Sequence, residues 1–204
     1  MTRLLFLAGT SQVGSVNWRL AGAAADLARR TYGDLVSVDA IDVTELNIPR
    51  SGGGPEAEAA PGVVAFRDAV SRSDGLFVTS DEYTGTYSAN LKNALAWLKR
   101  KDADNEAVLA GMLVALCGAS IGGVRALRGQ PALEQLLSEL GATVVSQHLS
   151  LGISPDPFGP DGRLLPSVER SLLNGCLAKL AEKTSAAGAE RRLRDYEVAS
   201  QPPK

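Results

Sequence analysis

Five times along this chain a short apolar run suited to a buried strand is followed by a stretch with helical spacing. This alternation limits the fold more than any other feature, because it calls for a parallel sheet covered by helices on both faces. Residues 4–8 are apolar throughout and end at Gly9, as in a strand buried on both sides. From Trp18 the residues Leu20, Ala24, Leu27, Ala28 and Tyr32 fall on one helical face, and Gly33 can end that helix. Residues 35–41, 75–79, 112–117 and 143–147 read as the second to fifth strands. Helices are expected over 63–70, from 91 onward with Leu91, Ala94, Leu95 and Leu98 on one stripe, over 124–140 and over 166–180. Pro131 marks a break and restart in the third of these. Residues 49–61, which include Gly52, Gly53 and Gly54, read as a flexible loop.

Composition narrows the function classes. The 204 residues favour one domain, 45% of them are hydrophobic and 22% charged, as in an ordinary globular protein. A domain of this size buries roughly 70% of its unfolded surface and needs no disulfide or metal staple. The net charge of −2 comes with scattered Lys and Arg, which argues against binding nucleic acid. Cys117 and Cys176 stand in apolar segments without CxxC spacing, so they suggest a reducing compartment and give no Cys-based zinc site. His148 is the one histidine, which excludes a His-rich metal centre. No leader and no run of ~18 apolar residues is seen, so a cytoplasmic location without membrane attachment is expected. The expected division is one domain over 1–186 and a charged, flexible tail over 187–204.

In an open parallel sheet, ligands bind beyond the carboxyl ends of the strands, where strand order reverses. Three turns therefore converge. The first, Gly9 to Asn17, follows a strand and opens a helix, so its N–H groups favour an anion. It matches neither GxGxxG nor GxxxxGK[ST]. Its hydroxyl and amide donors, Thr10, Ser11, Gln12, Ser15 and Asn17, suit a terminal phosphate monoester, although Ser15 and Asn17 equally suit plain helix capping. The turn after the third strand, Thr79 to Tyr87, is polar and carries Tyr83 and Tyr87, which can pack along a planar ring or simply cover the core. The turn after the fourth strand, Gly118 to Gly123, has few large side chains and lets backbone approach a flat ligand.

Taken together, the three turns resemble those of the NADPH-dependent FMN reductase family of flavodoxin-like proteins. The family's GS-x-R-x-x-S-x-N phosphate turn is matched by Gly9-Thr10-Ser11-Gln12-Val13-Gly14-Ser15-Val16-Asn17. Its T-P-E-Y-N-G-S turn and L-K-N-A helix are matched by Ser80-Asp81-Glu82-Tyr83-Thr84-Gly85-Thr86 and Leu91-Lys92-Asn93-Ala94, with Trp97 in place. Ser120-Ile121-Gly122-Gly123-Val124-Arg125-Ala126 is similar to its S-x-G-G-x-R-A turn, and Asp42 and Pro49 also agree. The likeness spans about residues 4–180 and implies a five-stranded parallel sheet of order 2-1-3-4-5.

It further implies that Gly9, Thr10, Gln12, Ser15, Val16 and Asn17 surround the FMN phosphate. Glu82, Tyr83, Thr84 and Gly85 line the isoalloxazine, and Ser120, Gly122 and Gly123 meet its other edge. The implied activity passes electrons from NADPH or NADH through FMN to a quinone, flavin, metal ion or similar acceptor. The flavin carries the chemistry, so no catalytic side chain and no metal is expected. A homodimer or homotetramer with a small-molecule electron acceptor is the implied assembly. The rival reading is a non-enzymatic FMN-binding electron carrier or redox sensor, and a third is binding of another phosphorylated ligand.

Three departures bear on affinity: Gln12 stands at the family's arginine, Asp81 at its proline and Thr84 at its asparagine. Weaker FMN binding than is usual for the family is the expectation. Of the remaining candidates, Asp39 reads as a strand-end acid, Cys117 as a core residue and His148 as a core or interface histidine. Lys92 reads as solvent-facing, though placed to meet a nucleotide phosphate, and residues 191–194 as a solvated basic face.

Overall fold

The computed structural model describes residues 1–12, 14–99, 107–120, 128–145, 149–152 and 156–199, with the backbone alone for Gly152 and 191–199. In chain order the elements are β1 (Thr2–Gly9), α1 (Val16–Tyr32), β2 (Val36–Asp42), α2 (Pro55–Glu58), α3 (Pro61–Ser71), β3 (Gly75–Ser80), β4 (Glu82–Tyr83), β5 (Thr86–Tyr87), α4 (Ala89–Trp97), β6 (Leu113–Ser120), α5 (Gly129–Glu139), β7 (Thr143–Val144), β8 (Leu149–Gly152) and α6 (Val168–Ala199). The main sheet runs β2-β1-β3-β6-β7, with β8 also on β6, and every pairing in it is parallel. The expected order 2-1-3-4-5 is therefore present, its fifth lane shared by β7 and β8.

Burial on both faces explains the apolar runs. In β1, Leu4 and Phe6 face α1 and α6, whereas Leu5 and Leu7 face α3, α4 and α5. The Phe6 and Phe77 rings meet at 5.2 Å between centroids and hold β1 against β3 on the first face. Both are fully buried.

Four local features differ from the sequence reading. The fifth lane is interrupted: Val114 pairs with Val144 but Cys117 pairs with Leu149, so the edge carries two more residues than β6 over that interval. Pro131 lies in the first turn of α5, where a proline's missing N–H costs no helical bond, and residues 124–127 of the expected helix lie outside the described residues. The loop over 49–61 contains the turn of helix α2, started by Pro55. The last helix continues past Leu180 to Ala199.

One glycine holds the β2–α3 connection in place. A Cβ on Gly62 would stand 1.8 Å from the Leu46 carbonyl oxygen, a backbone atom that cannot turn aside. Gly62→Ala is expected to lower stability by about 1–3 kcal/mol or more, as overpacking against backbone does. A urea titration followed by far-UV circular dichroism checks this, and an unchanged midpoint would contradict the close approach.

Candidate functional site

Strand register brings the turns together. Gly9 is opposite Ser80 across β1 and β3, Thr79 opposite Cys117 across β3 and β6, and Ser120 opposite Gly152 across β6 and β8. The chain thus leaves β1, β3 and β6 side by side. Gly9 is required at the first exit, since a Cβ there would lie 2.6 Å from the buried Leu91 side chain of α4.

The first turn is closed by its own atoms. Gln12 carbonyl oxygen accepts from Ser15 N–H and from Thr10 Oγ1, each at 3.2 Å. Gly14 takes a left-handed φ of 76°, and Ser15 Oγ caps α1 by accepting from Trp18 N–H at 3.2 Å. Thr10 is fully buried, and the Gln12 side chain is exposed. Val16 is the first residue of α1.

Asn17, only 1% exposed, joins this turn to the rest of the site. Its Oδ1 accepts from Ala119 N–H at 2.7 Å and its Nδ2 donates to Ala119 carbonyl oxygen at 3.0 Å. The second Nδ2 proton goes to Asp81 Oδ1 at 2.9 Å, and the Asn17 carbonyl accepts from Thr79 Oγ1 at 2.9 Å. One side chain and its backbone thus tie α1 to both β3 and β6. Asn17→Ala would strand the buried Ala119 groups and is expected to destabilise the fold by about 2–4 kcal/mol. Chemical denaturation checks the size of the loss, which under 1 kcal/mol would rule out the bracket.

Asp81, which the sequence marks as a departure from the family pattern, closes the first turn, a role its residue type did not reveal. Its carboxylate accepts from Ser11 N–H at 3.1 Å, from Ser15 Oγ at 3.4 Å and from Asn17 Nδ2 at 2.9 Å. All three donors belong to the first turn. The β1–β3 register, visible only in the structure, brings them together, because Ser11 and Asp81 lie shortly beyond the paired Gly9 and Ser80.

After Asp81 the chain forms a two-residue hairpin. Glu82 pairs with Tyr87 and Tyr83 with Thr86, while Thr84 and Gly85 form the bend with φ of 49° and 83°. Two left-handed residues define a type I′ turn, for which asparagine followed by glycine is preferred. A β-branched threonine there is strained by about 1–2 kcal/mol. Thr84→Asn is expected to recover about 1 kcal/mol of stability, read as a higher urea midpoint; an unchanged or lower midpoint would contradict the strain.

The hairpin is anchored at its base. Ser88 Oγ donates to the Gly9 carbonyl at 2.7 Å and caps α4 by accepting from Leu91 N–H at 3.1 Å. The first residue of α5 lies so near β5 that a Cβ on Gly129 would meet Thr86 backbone atoms at 3.1 Å. In α4, Asn93 and Trp97 face elsewhere: Asn93 Nδ2 and Trp97 Nε1 both donate to the Pro49 carbonyl at 2.9 Å, and Asn93 Oδ1 accepts from Ser51 N–H at 2.7 Å.

Between the first turn and the hairpin lies a cavity of about 460 Å³ lined by Ser11, Tyr83, Thr84, Thr86, Tyr87, Ala89 and Lys92. Tyr83 is 46% exposed, so its ring stands largely open to solvent. Burial raises the Tyr87 phenol above its ordinary range, which keeps it protonated and able to donate. A second cavity of similar volume lies between α1 and β2. Its arginines are already paired, Arg19 with Asp156 at 2.9 Å and Arg163 with Asp26 at 3.2 Å.

Ser120 stands at the end of β6, and its buried Oγ has no hydrogen-bond partner among the described residues. Gly122, Gly123 and His148 lie outside the described residues. Cys117 is buried, and that burial, with Cys176 adding to it, pushes its thiol well above the usual range, as befits a core residue. An FMN ring would suit the largely apolar, tyrosine-lined cavity, of whose described lining Ser120 is not a part. The first turn has donors that would suit a phosphate, with Asp81 already on them.

Solved structures define the class. FerB, a flavoenzyme NAD(P)H:(acceptor) oxidoreductase from Paracoccus denitrificans, superimposes with a TM-score of 0.79 at 19% identity, covering 91% of this chain and 98% of that one. Oxidised Flavodoxin 1 from Bacillus cereus gives 0.54 at 16% identity, covering 91% and 98%. The fold is flavodoxin-like α/β.

The family model for NADPH-dependent FMN reductase matches residues 2–156, and the chain belongs to that family. It is an oxidoreductase whose cofactors are FMN and NAD(P)H. An NADPH:quinone oxidoreductase of Arabidopsis thaliana is 27% identical over 186 residues, 88% of this chain and 90% of that protein. A 2-hydroxy-1,4-benzoquinone reductase of Burkholderia sp is 26% identical over 145 residues, 71% and 75% of the two chains. No helix among the described residues is long and apolar enough to cross a membrane.

Proposed function

We propose that this protein is a cytoplasmic reductase that takes electrons from NADPH or NADH and delivers them to a quinone-type small molecule, with FMN held between the three turns. The observation that carries the reading is the cavity shared by Ser11 of the first turn and the Tyr83–Tyr87 hairpin. A cavity that reaches from Ser11 to the two tyrosines supports a ligand with a phosphate near the first turn and a ring along the hairpin. The names of the Arabidopsis and Burkholderia relatives support a quinone as acceptor. Free flavin and metal ions are further acceptors that an exposed ring would serve.

In this reading Gly9, Thr10, Gln12, Ser15, Val16 and Asn17 surround the phosphate. Thr10 and Asn17 act from within the fold, by shaping the turn and fastening it, since both are buried. Glu82, Tyr83, Thr84 and Gly85 lie along the ring, with Ser120, Gly122 and Gly123 on its other edge. When bound, FMN supplies two-electron chemistry, accepting hydride from a nicotinamide and reducing the acceptor in turn. The chain's own part is to hold one face against the hairpin and leave the other for alternate occupancy. Turn N–H groups and the protonated Tyr87 phenol provide donors where negative charge accumulates. Lys92, at the cavity rim and exposed, offers its ammonium to a nucleotide phosphate. The catalytic unit in this reading is residues 1–186, with 187–204 as a charged appendage, and it works as a homodimer or homotetramer.

Anaerobic mixing of the FMN-loaded protein with NADPH should bleach the flavin's visible absorbance within seconds, and a benzoquinone should restore it. Initial rates should follow a ping-pong pattern. Tight flavin that NADPH does not bleach would replace the reductase with a carrier, and absence of flavin uptake would remove FMN from the reading altogether.

A further inference from the structure

We propose that Asp81 sets how strongly the first turn selects a phosphorylated ligand, so that this chain accepts riboflavin and FMN with comparable affinity. The inference rests on the proposed seating of the FMN phosphate in that turn. A phosphate monoester entering the turn calls on Ser11 N–H and Ser15 Oγ, donors that the Asp81 carboxylate already holds at 3.1 and 3.4 Å. Two anions competing for the same donors repel each other, and in a half-buried site that repulsion is screened far less than in water.

Asp81 cannot leave without consequence. Its departure frees Asn17 Nδ2, donated to it at 2.9 Å, in a residue that is almost fully buried. The backbone on either side of Asp81 is fixed, by β3 pairing before it and by the hairpin after it. Ser80 Oγ, which donates to the Asp81 carbonyl at 2.9 Å, also accepts from Ser88 N–H at 3.2 Å. Moving the carboxylate aside leaves these backbone contacts in place and costs the three hydrogen bonds that it accepts from the first turn. The phosphate gains charge-assisted contacts but replaces others of the same kind, so its net advantage over a ligand without phosphate is small. The specificity consequence falls on the ligand class: flavins as such, rather than flavin mononucleotides.

The test is a fluorescence titration of flavin-free protein with FMN and with riboflavin, for wild type, Asp81→Asn and Asp81→Ala. Wild type should prefer FMN by less than about tenfold, and each variant should raise that preference by about tenfold or more through tighter FMN binding. Riboflavin affinity should stay within about twofold, which also reports that the ring site is folded. A preference of about 100-fold or more in wild type, or one that neither variant changes, overturns the inference and leaves the phosphate seat standing. FMN binding no better than riboflavin in all three proteins overturns both, because the turn then holds no phosphate even when Asp81 is gone. Should the variants fail to fold, a wild-type preference between about twofold and tenfold supports the inference, and one of about 100-fold or more, or none at all, overturns it.

Discussion

The Asn17 carboxamide, set between the start of α1 and the end of β6, is the interaction on which the geometry of the site depends. It meets both backbone groups of Ala119, and the Thr79 hydroxyl meets the Asn17 carbonyl from the strand between. Parallel strands place their exits side by side but leave the connecting turns free to splay. A carboxamide suits this task because it offers acceptor and donors on one rigid plane, matching an N–H and a C=O of the same backbone stretch. With α1 fixed in this way, its N-terminal turn and the hairpin after β3 face one space.

That space is built from elements of unequal rigidity. The first turn is held by Ser15 and Gln12, the hairpin base by Ser88 and by the close approach of Gly129. The tip of the hairpin, with Thr84 in a left-handed conformation, is the strained part. Strain at a ligand-facing bend is tolerated only where the surrounding contacts over-determine it. Here those contacts are the ladder of β4 on β5 and the packing of α5 against β5, both outside the bend itself.

The fold was readable from the sequence because a doubly covered parallel sheet writes itself as uninterrupted apolar runs, and five such runs alternate with helical spacing. The order of strands came from the family likeness rather than from periodicity. What the sequence could not display was register. The hairpin at Glu82–Tyr83 and Thr86–Tyr87 is too short to show alternation, and the run 143–147, read as one strand, covers β7 but ends before β8. Thr10, Ser15 and Asn17 were found as a donor set, yet their division into ligand-facing and inward-facing groups depends on burial. Asn93 and Trp97 belong to a recognisable motif for another reason: both bind the Pro49 carbonyl and so keep the loop after β2 against α4. A motif adjoining a ligand site can thus be recurrent for the sake of the scaffold alone.

Relative to the family pattern, glutamine for arginine at position 12 removes one positive charge and aspartate for proline at position 81 adds one negative charge, a combined change of −2 at one anion site. Either substitution alone would weaken a phosphate contact; together they are consistent with each other, because an arginine at position 12 would pair with a carboxylate that already satisfies the turn. The exposed Gln12 side chain makes room for this arrangement, and the Asp81 oxygens supply the acceptors that an empty donor set would otherwise seek from water. The turn is therefore complete in itself, in the same way that a capped helix start is complete. Under the proposal, a turn complete without an anion leaves recognition to the ring that Tyr83 and Tyr87 would face.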